Sequence, residues 1–168
     1  MDPAQLEALN DRLEQEQRPV GAIFAGGVTT ILSLTLWTAL SISTGQRLTV
    51  LSIPMGILIG LSIRFGGKGI TPLFRWIGTG FALGGCLIGT LATLATHYAQ
   101  DTGLVYGDAL AQILGSGSLA FQLSRQTVAP IDLIFYALTI YESRKLALRK
   151  LSAKDIAPLA VQSAEPDA

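Results

Sequence analysis

Asp132 is the residue that most invites a chemical reading. It is the one carboxylate inside a long apolar stretch of this 168-residue chain, and an acid in such surroundings is by default a candidate proton relay or ion site. A second reading competes with it. Asp132 stands two residues after Pro130, in the first turn of an expected helix, where the helix dipole favours negative charge and water is close. His97, the only histidine, is the other candidate proton or ion group, with Asp101 and Asp108 as its nearest carboxylates in sequence. One imidazole and two loop carboxylates fall short of the convergent ligand set that a metal requires, so no metal is expected. Cys86, between Gly85 and Leu87, reads as a small packing residue. As the only cysteine it excludes an intramolecular disulfide and any multi-cysteine metal site. No paired nucleophile and base, dinucleotide fingerprint or haem-attachment sequence is present, so no catalytic residue and no cofactor are expected.

The run Arg64-Phe65-Gly66-Gly67-Lys68-Gly69-Ile70-Thr71 has the glycines and the lysine of a phosphate cradle, but it fails the nucleotide-binding pattern. Lys68 is followed by Gly69 where Ser or Thr is needed, the preceding glycines are wrongly spaced, and no strand leads into it. It reads instead as a basic cytoplasmic turn. Arg64, Lys68 and Arg75, together with Arg144 and Lys145, are the residues expected to set topology or touch lipid headgroups.

The elements that position these residues follow from composition. About 49% of the chain is hydrophobic, only 14% is charged, and mean hydropathy is +0.47; soluble proteins carry about 25% charge. Twelve basic and twelve acidic residues cancel, which removes the basic field of a nucleic-acid binder. The expectation is an all-α polytopic membrane protein, a bundle of four transmembrane helices with short surface helices. Its spans lie at about 20–42, 48–63, 73–97 and 128–141. The second is short, with Arg64 snorkelling at its end, and a tight turn over Ser43-Thr44-Gly45-Gln46-Arg47 precedes it. Thr71 and Pro72 mark the start of the third.

The fourth stretch is the weakest, and charge decides it. Four crossings with both termini inside put Arg12, Arg18, Arg64, Lys68, Arg75, Arg144, Lys145, Arg149, Lys150 and Lys154 in the cytoplasm and leave Arg47 and Arg125 outside, ten against two. Without the fourth crossing the five C-terminal basic residues change sides and the ratio reverses to five against seven, contrary to the positive-inside bias. Trp76 and Tyr141 then mark the inner interface and Trp37 and Tyr98 the outer one. No cleavable signal peptide is expected, because the residues ahead of the first span are acidic and amphipathic.

Outside the spans, residues 1–19 are expected to form an acidic helix with Leu6, Leu9 and Leu13 on one stripe and Pro19 as its end, either a docking helix or a solvated lead-in. Residues 98–127 form a long outer loop; Leu110, Ile113 and Leu114 follow helical spacing until Gly115-Ser116-Gly117-Ser118 breaks it, which predicts one or two surface helices. Residues 143–168 read as a basic helix end and a disordered tail. Within the spans, Ser52, Gly56 and Gly60 recur every fourth residue as a packing groove. In the third span Gly78, Gly85 and Gly89 cluster on one side and Gly80 and Gly84 on roughly the other. Two grooves imply two close neighbours and a central position for that span, since close approach through small residues supplies contact energy in lipid.

The stretch Ile59-Gly60-Leu61-Ser62-Ile63-Arg64-Phe65-Gly66-Gly67-Lys68-Gly69-Ile70, with Trp76-Ile77-Gly78, Leu83-Gly84-Gly85-Cys86-Leu87-Ile88-Gly89, Pro130-Ile131-Asp132-Leu133-Ile134-Phe135-Tyr136-Ala137 and Tyr141-Glu142, resembles a group of uncharacterised bacterial inner-membrane proteins. These carry an Arg-x-Gly-Gly-Lys-Gly turn and a last span of the Asp-Leu-Leu-Phe-Tyr-Ala type. The resemblance covers roughly residues 48 to 145; Thr90 stands where the group often has Asn, and Ser143-Arg144 replaces a Gly-Tyr pair. It implies the bacterial inner membrane and four helices, and no established activity. Two functions remain in view. One is a non-catalytic accessory or scaffold subunit of a larger membrane complex, whose partners are membrane lipids and other membrane-protein subunits or a second copy, and not nucleic acid. The other is a small transporter or channel with Asp132 and His97 in an ion or proton path.

Overall fold

The computed structural model describes residues 3–44 and 49–149. The expected tail beyond these, with Lys150 and Lys154, and most of the turn around Arg47 lie outside the described residues. Among the described residues all regular structure is helical: α1 Pro3–Gln15, α2 Pro19–Thr44, a single 3-10 turn Thr49–Leu51, α3 Ser52–Gly67, α4 Pro72–Thr102, α5 Tyr106–Gly115, α6 Gly117–Thr127 and α7 Pro130–Leu146. Pro19–Thr44, Thr49–Gly67 and Pro72–Thr102 are long and apolar enough to cross a membrane. At 17 residues, α7 reaches about 25 Å, short of a ~30 Å hydrocarbon core.

Proline sets most of the starts. Pro19, Pro72 and Pro130 each occupy the first position of a helix, where the missing N–H would have had no partner and φ is already helical. Pro19 therefore opens α2; it does not end α1, which stops at Gln15. Pro54 lacks a donor and is tolerated only in a first turn, so α3 begins at Ser52, later than the expected start near residue 48, and it runs through Arg64 to Gly67. Its last turn closes when the Lys68 N–H donates to the Arg64 carbonyl, with Lys68 itself at φ 50°. At the far end of α4 the helix continues to Thr102 and stops at Gly103 with φ 72°, a value that glycine adopts without a steric penalty. That makes α4 about 46 Å long, enough to project well past a ~30 Å hydrocarbon core.

The α3–α4 pair touches both α2 and α7, which flank it. Contacts fix the directions. Thr29 Oγ1 donates to Ser62 Oγ at 2.6 Å and Gly21 meets Gly66, so α2 and α3 are antiparallel. Thr139 lies against Ser52 and Gly56, and Ser143 against Gly60, so α7 runs parallel to α3. Gly78 meets Ser143 while Thr90 meets Tyr136, so α4 opposes α7. The core cluster joins Ala22, Trp37, Met55, Ile59, Ile63 and Phe74. Outward faces are apolar as well, with Phe24, Ile31, Leu32, Leu58, Leu87 and Leu133 all exposed, the pattern of helices that face lipid.

A second cluster caps the projecting end of α4. Leu94, Ala95 and Ile113 are buried, with Tyr98, Tyr106, Leu110, Leu119 and Leu123 packed around them. The surface helices expected in the long loop are thus α5 and α6. They part at the Gly115–Gly117 break, where Ser116 caps α6 by accepting from the Leu119 N–H at 3.4 Å.

The opposite end is tied by backbone and side-chain bonds among segments far apart in sequence. The Arg18 N–H donates to the Gly67 carbonyl at 2.8 Å, and the Arg149 N–H to the Gly69 carbonyl at 2.9 Å. Thr71 Oγ1 donates to Gln17 Oε1 at 2.8 Å, and Arg149 pairs with Glu16 at 3.3 Å. The end of α1 is therefore docked on the helical core, with Leu13 buried.

Candidate functional site

Asp132, Tyr136, Thr139 and Ser143 follow one another at intervals of four, three and four residues, which places them on one face of α7. This polar face points inward, and Ile131, Leu133, Ile134 and Leu138 point out. In lipid that inversion is the economical arrangement, since hydrocarbon offers a hydroxyl no partner. Ser143 Oγ donates to the Gly78 carbonyl of α4 at 2.9 Å. Thr139 Oγ1, with one proton to give, lies 2.8 Å from Ser52 Oγ of α3 and 2.7 Å from the Phe135 carbonyl. Tyr136 Oη and Thr90 Oγ1 are 2.7 Å apart. Thr90 commits its proton to the Cys86 carbonyl at 2.7 Å, so the tyrosine hydroxyl is the donor between them.

Asp132 sits at the outer end of this seam. Its Oδ2 accepts from the Ala129 N–H at 2.8 Å, which is the helix-start role that the sequence allowed as one reading. Beside it is a cavity of about 20 Å³ lined by Trp37, Thr49, Thr90, Thr93, Val128, Asp132 and Tyr136, room for about one water. Trp37 Nε1 and Ser41 Oγ are buried with no hydrogen-bond partner among the described residues. His97 stands one turn beyond Thr93 and does not line the cavity; its Nε2 is likewise buried and without a partner among the described residues. The fold therefore brings Asp132 to hydroxyls and an indole, and not to His97. Inward of Tyr136 the seam is closed, because Ser52, Thr139 and Ser143 are fully buried and Gly56, Gly60 and Gly78 lie directly against the α7 backbone. Among the described residues no three His, Cys, Asp or Glu side chains converge as metal ligands.

The expected packing residues divide sharply. A Cβ at Gly56 would strike the Thr139 carbonyl; one at Gly60 would lie 2.7 Å from the Ser143 carbonyl, and one at Gly78 would lie 3.1 Å from it. Gly85 faces Met55, and a Cβ at Gly89 would lie 2.8 Å from the Trp37 ring. Gly80 and Gly84 have no neighbour within 4 Å among the described residues. The groove at Gly80 and Gly84 thus receives no neighbour among the described residues, and the central position is shared by α3 and α4. Trp37 also departs from expectation. It is 4% exposed and part of the core, because Gly89 leaves space for the indole, and it does not mark an interface. Trp76 and Tyr141 are 64% and 58% exposed.

The glycine-rich turn is explained by packing. Gly66 meets Gly21 and Ala25, Gly67 meets Ala22 and Phe74, and Gly69 lies on the Phe74 ring; each glycine makes room for a neighbour, and none faces a phosphate-sized hollow. Of the five basic residues, Arg64 lies in the last turn of α3, Lys68 caps it, Arg75 is in the first turn of α4, and Arg144 and Lys145 are in the last turn of α7. The last three come together; Arg64 and Lys68 do not join them. Tyr136, Thr139 and Ser143 are further members of the site, legible in the sequence from the 132-136-139-143 spacing; Thr90, on α4, has no such signal.

Fold and site together define an all-helical protein with three helices able to span a membrane, held by a buried polar seam. No family model matches the chain, and no curated protein or solved structure matches it.

Proposed function

We propose that this chain is a four-span protein of the bacterial inner membrane, with both termini in the cytoplasm, that serves as a non-catalytic accessory or scaffold subunit of a larger complex. The motif resemblance supports the location, and the ten-to-two division of Lys and Arg supports the orientation. Support for α7 as the fourth span comes from its parallel course beside α3 and from its apolar outer face. The scaffold role rests on one observation, the empty strip at Gly80 and Gly84. Glycine within a helix costs about 1 kcal/mol relative to alanine, and lipid gives nothing back for a missing side chain; another helix in close contact does.

The test is gentle extraction followed by mass spectrometry of what co-purifies. The expected result is a fixed set of membrane partners that is lost on Gly80→Leu or Gly84→Leu while the chain itself stays folded; consistent recovery of a lone monomer overturns the proposal. The transporter reading has the cavity beside Asp132 in its favour and the closed seam inward of Tyr136 against it. It requires proton or ion flux in liposomes that Asp132→Asn abolishes.

A further inference from the structure

We infer that the inner end of the α4–α7 interface is a binding site for an anionic glycerophospholipid, best matched by a headgroup with two phosphodiesters. A cleft of about 420 Å³ is lined there by Arg75, Tyr141, Arg144 and Lys145, within the ~300–1,000 Å³ range of small-ligand sites. Three cations from two helices converge on it. The one carboxylate among their contacts is Glu142, 3.8 Å from Lys145, and Arg75 has no carboxylate partner among the described residues. Arg75 also stands in the first turn of α4, the end of a helix that repels a cation and attracts an anion. The local excess is two positive charges; the N-terminal dipole of α4 adds to it at Arg75, while the C-terminal dipole of α7 holds Arg144 and Lys145 in place.

The ligand's remaining chemistry is set by what surrounds the cations. The Arg144 guanidinium lies 5.3 Å from the Trp76 ring centroid and Lys145 Nζ 5.5 Å from that of Tyr141, which orients both groups and leaves N–H donors free. Trp76 and Tyr141, beside the cations, are exposed aromatics of the amphipathic kind that sits at headgroup depth. From there the surface turns apolar in continuous register. Leu83 and Leu87 follow Trp76 along α4, and Leu138 and Ile134 precede Tyr141 along α7; all four are exposed. A molecule with an anionic head and acyl chains matches this surface along its length, whereas a free phosphate uses only its end.

The inference rests on the membrane placement proposed above and not on the scaffold role, and the experiment separates the two. Full-length protein is first tested for resistance to alkaline extraction from membranes; release by that wash overturns the placement and this site together. Protein purified in detergent is then titrated with cardiolipin, phosphatidylglycerol, phosphatidylcholine and inorganic phosphate, with bound lipid read by native mass spectrometry. The expected order is cardiolipin, then phosphatidylglycerol, then phosphatidylcholine, with phosphate failing to displace the lipid. Arg75→Gln, Arg144→Gln and Lys145→Gln should each weaken cardiolipin binding about fivefold, Arg75→Lys should retain most of it, and Arg125→Gln, on the outer helix α6, should leave it unchanged. Equal retention of all three lipids, anionic preference that survives the three Gln substitutions combined, or displacement by inorganic phosphate overturns the site. Folding of each variant is checked by its helical circular dichroism. Should the triple variant fail that check, quenching of Trp76 fluorescence in the unmodified protein decides the question, since brominated cardiolipin must quench it more than brominated phosphatidylcholine at equal mole fraction.

Discussion

The two sides of α4 carry the same residue type at comparable spacing and meet opposite fates. On one side Gly78, Gly85 and Gly89 are filled by Ser143, Met55 and Trp37; on the other Gly80 and Gly84 face nothing within 4 Å among the described residues. A small-residue pattern states that something can come close. It does not state what, or whether that neighbour is encoded in the same chain. The filled side packs against the other helices of this chain, and the open side is where the proposed partner is to be sought.

Alanine is the sharpest probe of that contrast, because one methyl group asks the same question at each position. Gly56→Ala, on α3, is expected to cost most, about 3 kcal/mol, since its Cβ meets the Thr139 carbonyl and two helix backbones have to separate. Thermal unfolding in detergent measures it, and an unchanged transition breaks the assignment of the α3–α7 contact. Gly89→Ala should cost about 1–2 kcal/mol in the same assay, with a change in Trp37 fluorescence as the ring gives way. Ser143→Ala removes the bond to the Gly78 carbonyl and should cost about 0.6 kcal/mol, the usual worth of such a bond between helices in lipid; a loss several times larger would mean that the seam is cooperative. Gly80→Ala and Gly84→Ala have the smallest expected effect on the isolated chain and the opposite sign, a gain of up to about 1 kcal/mol from helix propensity. Destabilisation at either position would erase the distinction between the two sides.

Much of the fold was legible because it depends on local chemistry. Pro72 after Thr71 marked a helix start, and the glycines at 115 and 117 marked the break between α5 and α6. The errors fall where a rule about position along a helix stood in for knowledge of its faces. Trp37 lies at the right depth for an interfacial aromatic, yet it is buried because Gly89, 52 positions further along the chain, leaves a hollow for it. At Pro19 an acidic segment gives way to an apolar one, a pattern that fits a helix stop and a helix start alike, and there it is the start of α2. In the candidate site, Asp132 was legible as a lone acid. Tyr136, one turn on, shares its face, but Thr90 and Trp37 come from two other helices, and no spacing within one segment records which faces meet.

The knot of contacts where the end of α1 meets the α3–α4 turn and the end of α7 sets an order on assembly. Glu16 emerges in synthesis ahead of its partner Arg149, which comes 133 residues later. Gly69, between them, holds its carbonyl for the Arg149 N–H. Until α7 has been made and laid beside α3, the end of α1 has only part of its seat, the bonds from Arg18 to Gly67 and from Thr71 to Gln17. The acidic helix is thus a clasp whose seat is complete only with α7 in place, and its full docking reports that the α3–α4 turn and the end of α7 have met.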